Sequence, residues 1–412
     1  MKKIIVLIGL LSVFVLSFSF GLTVVPIFTT IETEEEENLF YSVTPIFEFD
    51  TVKIGVGFEA YQSEIGGTFY YGKPRYENTE DSTNLINAFN INLVEFDFNN
   101  FGFRYGYMPR YSFGMGTVMY RYTKPMTKAV DIRLGSYDTA YISGHIPFEI
   151  YKLSPFEIGN QSKFSFLEGA LNISGIDLSV MVGTNQLYSE WKNDLVANIG
   201  IYKDLGGLFA GVESGYIFTS PAATSVDFDA ESGFLMGAGG GFNSEYFSFR
   251  ALPVIYISPH AVLSYVDEDY EYIGQTTNVS KHEQLLSKTE SSLGGLYDLV
   301  FEYTDLIALN ARYSYDMTFD FSSISNQELF GDLRINSPFS EYPFELYGYY
   351  RRNLDSLDFV EVFEDLFDEE TEFEYEFSYF FMPGMKISYI EYYDQDDDIF
   401  KNKIHLGGSF NF

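Results

Sequence analysis

Cysteine is absent, so neither disulfides nor thiolate metal sites are open to this chain. Tryptophan occurs once, at Trp191. Basic residues are scarce, with 25 Lys and Arg against 59 Asp and Glu and a formal net charge of −34. Nucleic acid and anionic membrane surfaces are thereby excluded as partners, because neither attracts a polyanion. After Phe20 there is no second long apolar run, and the mean hydropathy is −0.05. A bundle of membrane helices is excluded. A transmembrane β-barrel is not, since its lipid-facing residues alternate with polar lumen residues and the average cancels. What the chain does have points the same way: 42 Phe and 34 Tyr. A barrel uses aromatic residues twice, on the lipid face and in the girdles where the wall meets the headgroups.

The first 21 residues read as a secretory leader. Met1-Lys2-Lys3 supplies the positive start, Ile4 to Phe20 the uncharged run, and Ser17, Ser19 and Gly21 the small residues near a cleavage point. Strand-like text begins at Leu22, with no basic flank to stop transfer. Residues 22–412 are expected to form one barrel.

Dyad alternation runs along nearly the whole mature chain. Val52, Ile54, Val56 and Phe58 alternate with Lys53, Gly55, Gly57 and Glu59. Phe101, Phe103, Tyr105 and Tyr107 alternate with Gly102, Arg104, Gly106 and Met108. Successive side chains on a strand point to opposite faces, so each segment has one greasy face and one small or polar one. Tight turns join the strands in pairs at Asp50-Thr51, Asn99-Asn100, Ser174-Gly175, Lys203 to Gly207, Asn243 to Glu245, Thr304-Asp305, Ser337 to Tyr342 and Pro383-Gly384. Longer polar segments lie between the pairs, among them Gln62 to Asn84, Pro259 to Ser292, Arg352 to Glu370 and Asp394 to Lys401. Short turns at one end and long loops at the other are the expectation for a bacterial barrel, with the short turns periplasmic. Adding the last segment and an upward strand over Leu22 to Thr30 predicts about eighteen strands, or sixteen if one weak pair is loop. Pro26 sits awkwardly in that first strand, because it removes a ladder N–H.

The last eight residues add a separate signal. His405, Gly407, Phe410 and the terminal Phe412 stand at the polar, glycine, hydrophobic and aromatic positions of a pattern. That pattern resembles the C-terminal assembly signal of bacterial outer-membrane β-barrels, and the chain looks like one of the general porin type. The resemblance implies an outer-membrane location in a diderm bacterium. It also implies lipid and the barrel assembly machinery as partners, and passive diffusion of ions and small hydrophilic solutes. A homo-oligomer is left open. The alternative function is a structural or adhesive envelope protein whose barrel anchors acidic surface loops.

No chemistry of an enzyme emerges. His405 has Ser409 four residues along the same strand face, too far for a Ser-His pair. Asp394, Asp396 and Asp398 open like a calcium loop, but Ile399 stands where glycine and His405 where glutamate is required. No catalytic residue, metal or cofactor is expected.

The segment from Arg110 to Ser162 is the longest connection and the candidate for a loop folded into the barrel. The competing reading is a surface loop or an additional hairpin. Around it lie Arg104, Arg110, Arg121, Lys124, Lys128 and Arg133, with a single acid, Asp131, among them. In so acidic a chain this cationic stretch is the expected wall of a constriction. The wall facing it would be Asp298, Glu302, Arg312, Asp316, Asp332 and Arg334. Lumen positions carry more acids than bases, which leans toward cation preference. Inward glycines such as Gly55, Gly57, Gly211 and Gly215 are expected to leave room for water.

Overall fold

Alternation along the strands decides the architecture. Ile54, Val56 and Phe58 are exposed on the outer face, whereas Gly55, Gly57 and Glu59 between them are buried. Val180 and Val182 flank a buried Met181, and Ile199 and Ile201 flank a buried Gly200. Leaving such aliphatic side chains in water forgoes about 1.5–3 kcal/mol each. A continuous outward band of them fits hydrocarbon, not water.

The computed structural model of the chain describes residues 21–411 apart from 33–36, 63–66, 73–83, 124–126, 152–153, 160–163, 186–191, 222–228, 268–269, 271–280, 289, 305, 321–323, 338–343, 355–366, 368–370, 383–384, 395–398 and 409. The leader up to Phe20, Lys124, Ser409 and Phe412 therefore lie outside the described residues, as do Asp305 and the Pro383-Gly384 turn. No described helix is long and apolar enough to cross a membrane, a fact that does not bear on strands.

One antiparallel sheet contains 22 strand segments. Tyr70–Tyr71 is a two-residue flap on Val52–Gln62, and Phe410–Asn411 continues Ile399–Gly408 across one residue. The remaining wall is a ring of twenty strands, each paired with its neighbours, rather than the expected eighteen. The ring closes where Thr23 meets Asn411 and Val24 meets Phe410. Pro26 lies two residues past that seam, opposite Val43, and can donate to neither neighbour.

The two additional strands come from the segment read as one long connection. Lys128–Ser136 and Ala140–Pro147 form a wall hairpin turning at Tyr137 to Thr139. It pairs with Phe101–Tyr107 on one side and Ser165–Ile173 on the other. The 110–162 stretch is thus an inward loop, then a hairpin, then a small separate sheet of Glu149–Tyr151 and Ser154–Gly159. Strands pair across all eight of the expected tight turns. The two-residue turn Ser174-Gly175 has φ +54° and +79°, the pair of positive values that suits the right-handed twist of its strands. The first strand starts, and the last strand ends, on the short-turn side.

Candidate constriction inside the barrel

Two of the long loops fold back into the lumen. The first, residues 108–122, has the sequence Met-Pro-Arg-Tyr-Ser-Phe-Gly-Met-Gly-Thr-Val-Met-Tyr-Arg-Tyr, too apolar to lie in water. Phe113, Met115, Val118, Met119, Tyr120 and Tyr122 are all buried. Paired bonds between the backbones of Tyr111 and Tyr122, both 2.8 Å, close the loop on itself. At its tip Gly114 and Gly116 take φ of +57° and +98°. The second loop follows Phe247–Tyr256 and contributes the buried run from Ala261 to Val266, and then a short helix, Lys281–Ser287. The loops are stitched together by a bridge between Met119 and Val266, with bonds Ser264 N–H to Thr117 O at 3.0 Å and Val266 N–H to Val118 O at 2.9 Å.

Both loops lie against one side of the wall. From Lys128–Ser136 round to Ser292–Tyr303, the inward residues include Phe166, Met181, Val196, Ile217, Leu235 and Leu252, packed in one core with the loops. Inward glycines make room for this packing rather than for water: a Cβ on Gly215 would run into Val118, and one on Gly211 into Tyr202. Gly55 and Gly57 are likewise crowded by Leu93 and Asn92.

Wall carboxylates pin the loops. Glu213, buried, accepts the backbone N–H groups of Met115 and Thr117 (3.0 Å for Thr117) and the Tyr202 hydroxyl at 2.5 Å. Asp131 accepts Tyr111 Oη–H at 2.8 Å and stands 2.8 Å from His145 Nδ1. Tyr270 donates to the buried Asp194 at 2.6 Å. Lys288 Nζ bonds Asp316 at 3.0 Å and lies 3.1 Å from the centre of the Tyr256 ring. Burial pushes the Lys288 ammonium down, while Asp316 opposes the shift.

The rest of the lumen is lined differently, by charged pairs running from strand to strand. Glu328 binds Arg312 at 2.6 Å and Arg351 at 2.8 Å. Lys386 bridges Glu376 (2.7 Å) and Glu345 (3.3 Å), and Lys53 faces Glu95 at 3.4 Å. The first loop presents its cationic edge to this polar side. The Arg121 guanidinium lies 5.1 Å from the centre of the Phe330 ring, and Tyr120 sits between Arg250 and Arg312, at 4.5 and 5.7 Å. Arg110 is exposed, and Tyr347 lies within electrostatic reach of Arg110, Arg121 and Asp332 together. Among the described residues no carboxylate pairs with Arg110 or Arg121.

The cationic stretch therefore divides. Arg104, Lys128 and Arg133 belong to the wall, not to the loop. Arg104 reaches Asp131 at 3.5 Å and Glu95 at 3.8 Å. Lys128 is buried beside Glu59 and donates to Asn92 at 2.7 Å. Arg133 bonds Asp97 at 2.7 Å and the carbonyls of Phe98 and Asn99 near the short turns. Of the facing candidates, Asp298 is matched by Arg250 at 2.9 Å, and Glu302 is exposed at the short-turn end. Arg334 is also exposed near the end of its strand. Asp332 is bonded to Asn310 at 3.0 Å. Sequence reasoning missed the second inward loop, although Ala261 to Val266 is an apolar run inside a polar segment. It also missed Glu328.

No protein-family model and no curated relative matches the chain. Solved structures similar to it include Pseudomonas aeruginosa OpdK with vanillate, at 8% identity and TM-score 0.44 over 95% of this chain and 98% of that one. Pseudomonas aeruginosa OccK3 (OpdO) matches at 10% identity and TM-score 0.43 over 82% and 91%. A BenF-like porin from Pseudomonas fluorescens Pf-5 matches at 10% identity and TM-score 0.38 over 95% and 96%. All three likenesses stay below a TM-score of 0.5, so the barrel stands on its own strand register.

Proposed function

We propose that the chain is an outer-membrane porin of a diderm bacterium, passing ions and small hydrophilic solutes by diffusion along the polar side of its lumen. The observation that carries this reading is the division of the lumen. One side is filled by two packed loops, and the other is lined by charged side chains that a dry interior would hold only at high desolvation cost. The constriction in this reading lies between Arg110 and Arg121 on the loop and the strands bearing Phe330, Asp332 and Tyr347. Facing rows of charge set the field that a solute crosses. His405 to Phe412 serves as the signal to the assembly machinery.

Reconstitution in planar bilayers tests it. The wild-type protein should give discrete conductance steps, and the double variant Arg110→Glu, Arg121→Glu should move the reversal potential toward cations. Silence of the wild type would favour a barrel that only anchors its loops. Steps with an unmoved reversal potential would take these arginines out of the path.

A further inference from the structure

We propose that Glu213 is the latch that holds the 108–122 loop against the wall and so keeps the polar side of the lumen clear; its effect on conduction rests on the porin reading. Three donors converge on this one buried carboxylate: the N–H groups of Met115 and Thr117 and the hydroxyl of Tyr202. Oε1 takes Met115 and Tyr202, and Oε2 takes Thr117. Every partner donates, so the site needs two oxygens that only accept, as an ionised carboxylate supplies. A glutamine of the same shape would turn its amide N–H toward a donor.

The loop tip is built for this contact. Gly114 and Gly116, both at positive φ, flank Met115 and let its N–H and that of Thr117 turn to one side. A Cβ at Gly114 would collide with Tyr202 and Glu213 themselves. Two residues along the same wall strand, Gly215 leaves the space that Val118 fills. The tip's other bonds run within the loop or to the second loop rather than the wall: Gly116 N–H donates to Phe113 O at 3.1 Å, Ser264 Oγ–H to Gly116 O at 2.8 Å and Ser264 N–H to Thr117 O. Among the described residues, Glu213 is thus the only wall side chain that the backbone of residues 114–117 bonds. Released from it, the tip is still tied to the second loop but no longer to the wall, and can lean toward the polar side.

The absence of cysteine makes the test clean. In a Val118→Cys background the thiol is buried against the wall and should react slowly with a water-soluble maleimide. Adding Glu213→Gln should raise the labelling rate roughly tenfold to a hundredfold, the population shift expected on losing a charge-assisted bond. In bilayers the same substitution should raise the frequency of brief closures by a similar factor, with the open level unchanged. Tyr202→Phe, which removes one donor and leaves the carboxylate, should show both effects at a few-fold; it keeps the proposal testable if Glu213→Gln fails to fold. Heat-modifiable migration reports whether each variant still forms its barrel. Labelling and closures equal to wild type in folded Glu213→Gln would overturn the latch. Faster labelling in a protein that never conducts would uphold the latch and sink the porin reading instead.

Discussion

The two sides of this lumen use charge in opposite ways. On the packed side four carboxylates grip the loops: Glu213 holds a backbone, Asp131 and Asp194 hold tyrosines, and Asp316 holds Lys288. On the polar side carboxylates pair with cations on neighbouring strands, as Glu95 does with Lys53 and Glu376 with Lys386. The first arrangement trades solvation for fixed geometry, because a buried acceptor without its donor is costly. The second leaves charges near solvent, where pairing contributes little to stability and much to the local field. Fixed geometry and local field are thereby assigned to different strands of one wall.

Three substitutions test that division, in descending order of effect. Met119→Ala removes a fully buried side chain from the core shared by both loops. It should cost about 2–5 kcal/mol of stability, read as a lower denaturant midpoint for unfolding in micelles. Tyr270→Phe withdraws a hydroxyl from the buried Asp194 and should cost about 1.5–3 kcal/mol by the same measurement. Lys53→Met breaks the pair with Glu95 on the polar side, where the lysine side chain is 42% exposed. The expected cost is under about 1 kcal/mol, shrinking further as salt is added. A loss at Lys53 as large as at Met119 would mean that the polar side is as dry as the packed one, and the contrast would fall.

Most of the wall was legible in the sequence, because a barrel strand is dictated by local alternation and a hairpin by two or three turn residues. The eight turns and the closing segment followed from those signals. The hairpin from Lys128 to Pro147 was legible only as the competing reading of its segment, because its outward face is thin: Ile142, Gly144 and Ile146 on one strand. The second loop, and the anchor of the first, escaped for a different reason. Their partners are far away in sequence, and nothing marks Glu213 among 59 acids until Met115 arrives from 98 residues away. The fold splits the cationic stretch: Arg121 lies over Phe330, while Arg104, Lys128 and Arg133 are wall residues with partners of their own.

The extra hairpin has a consequence for how such a channel can change. Barrel diameter grows roughly in proportion to strand number, so twenty strands enclose roughly a fifth more cross-section than eighteen. That added area is occupied by the loops that the wider wall admits. Filling and scaffold are separate parts: on the porin reading, residues 108–122 could be shortened, recharged or exchanged to make a new filter while every strand kept its register.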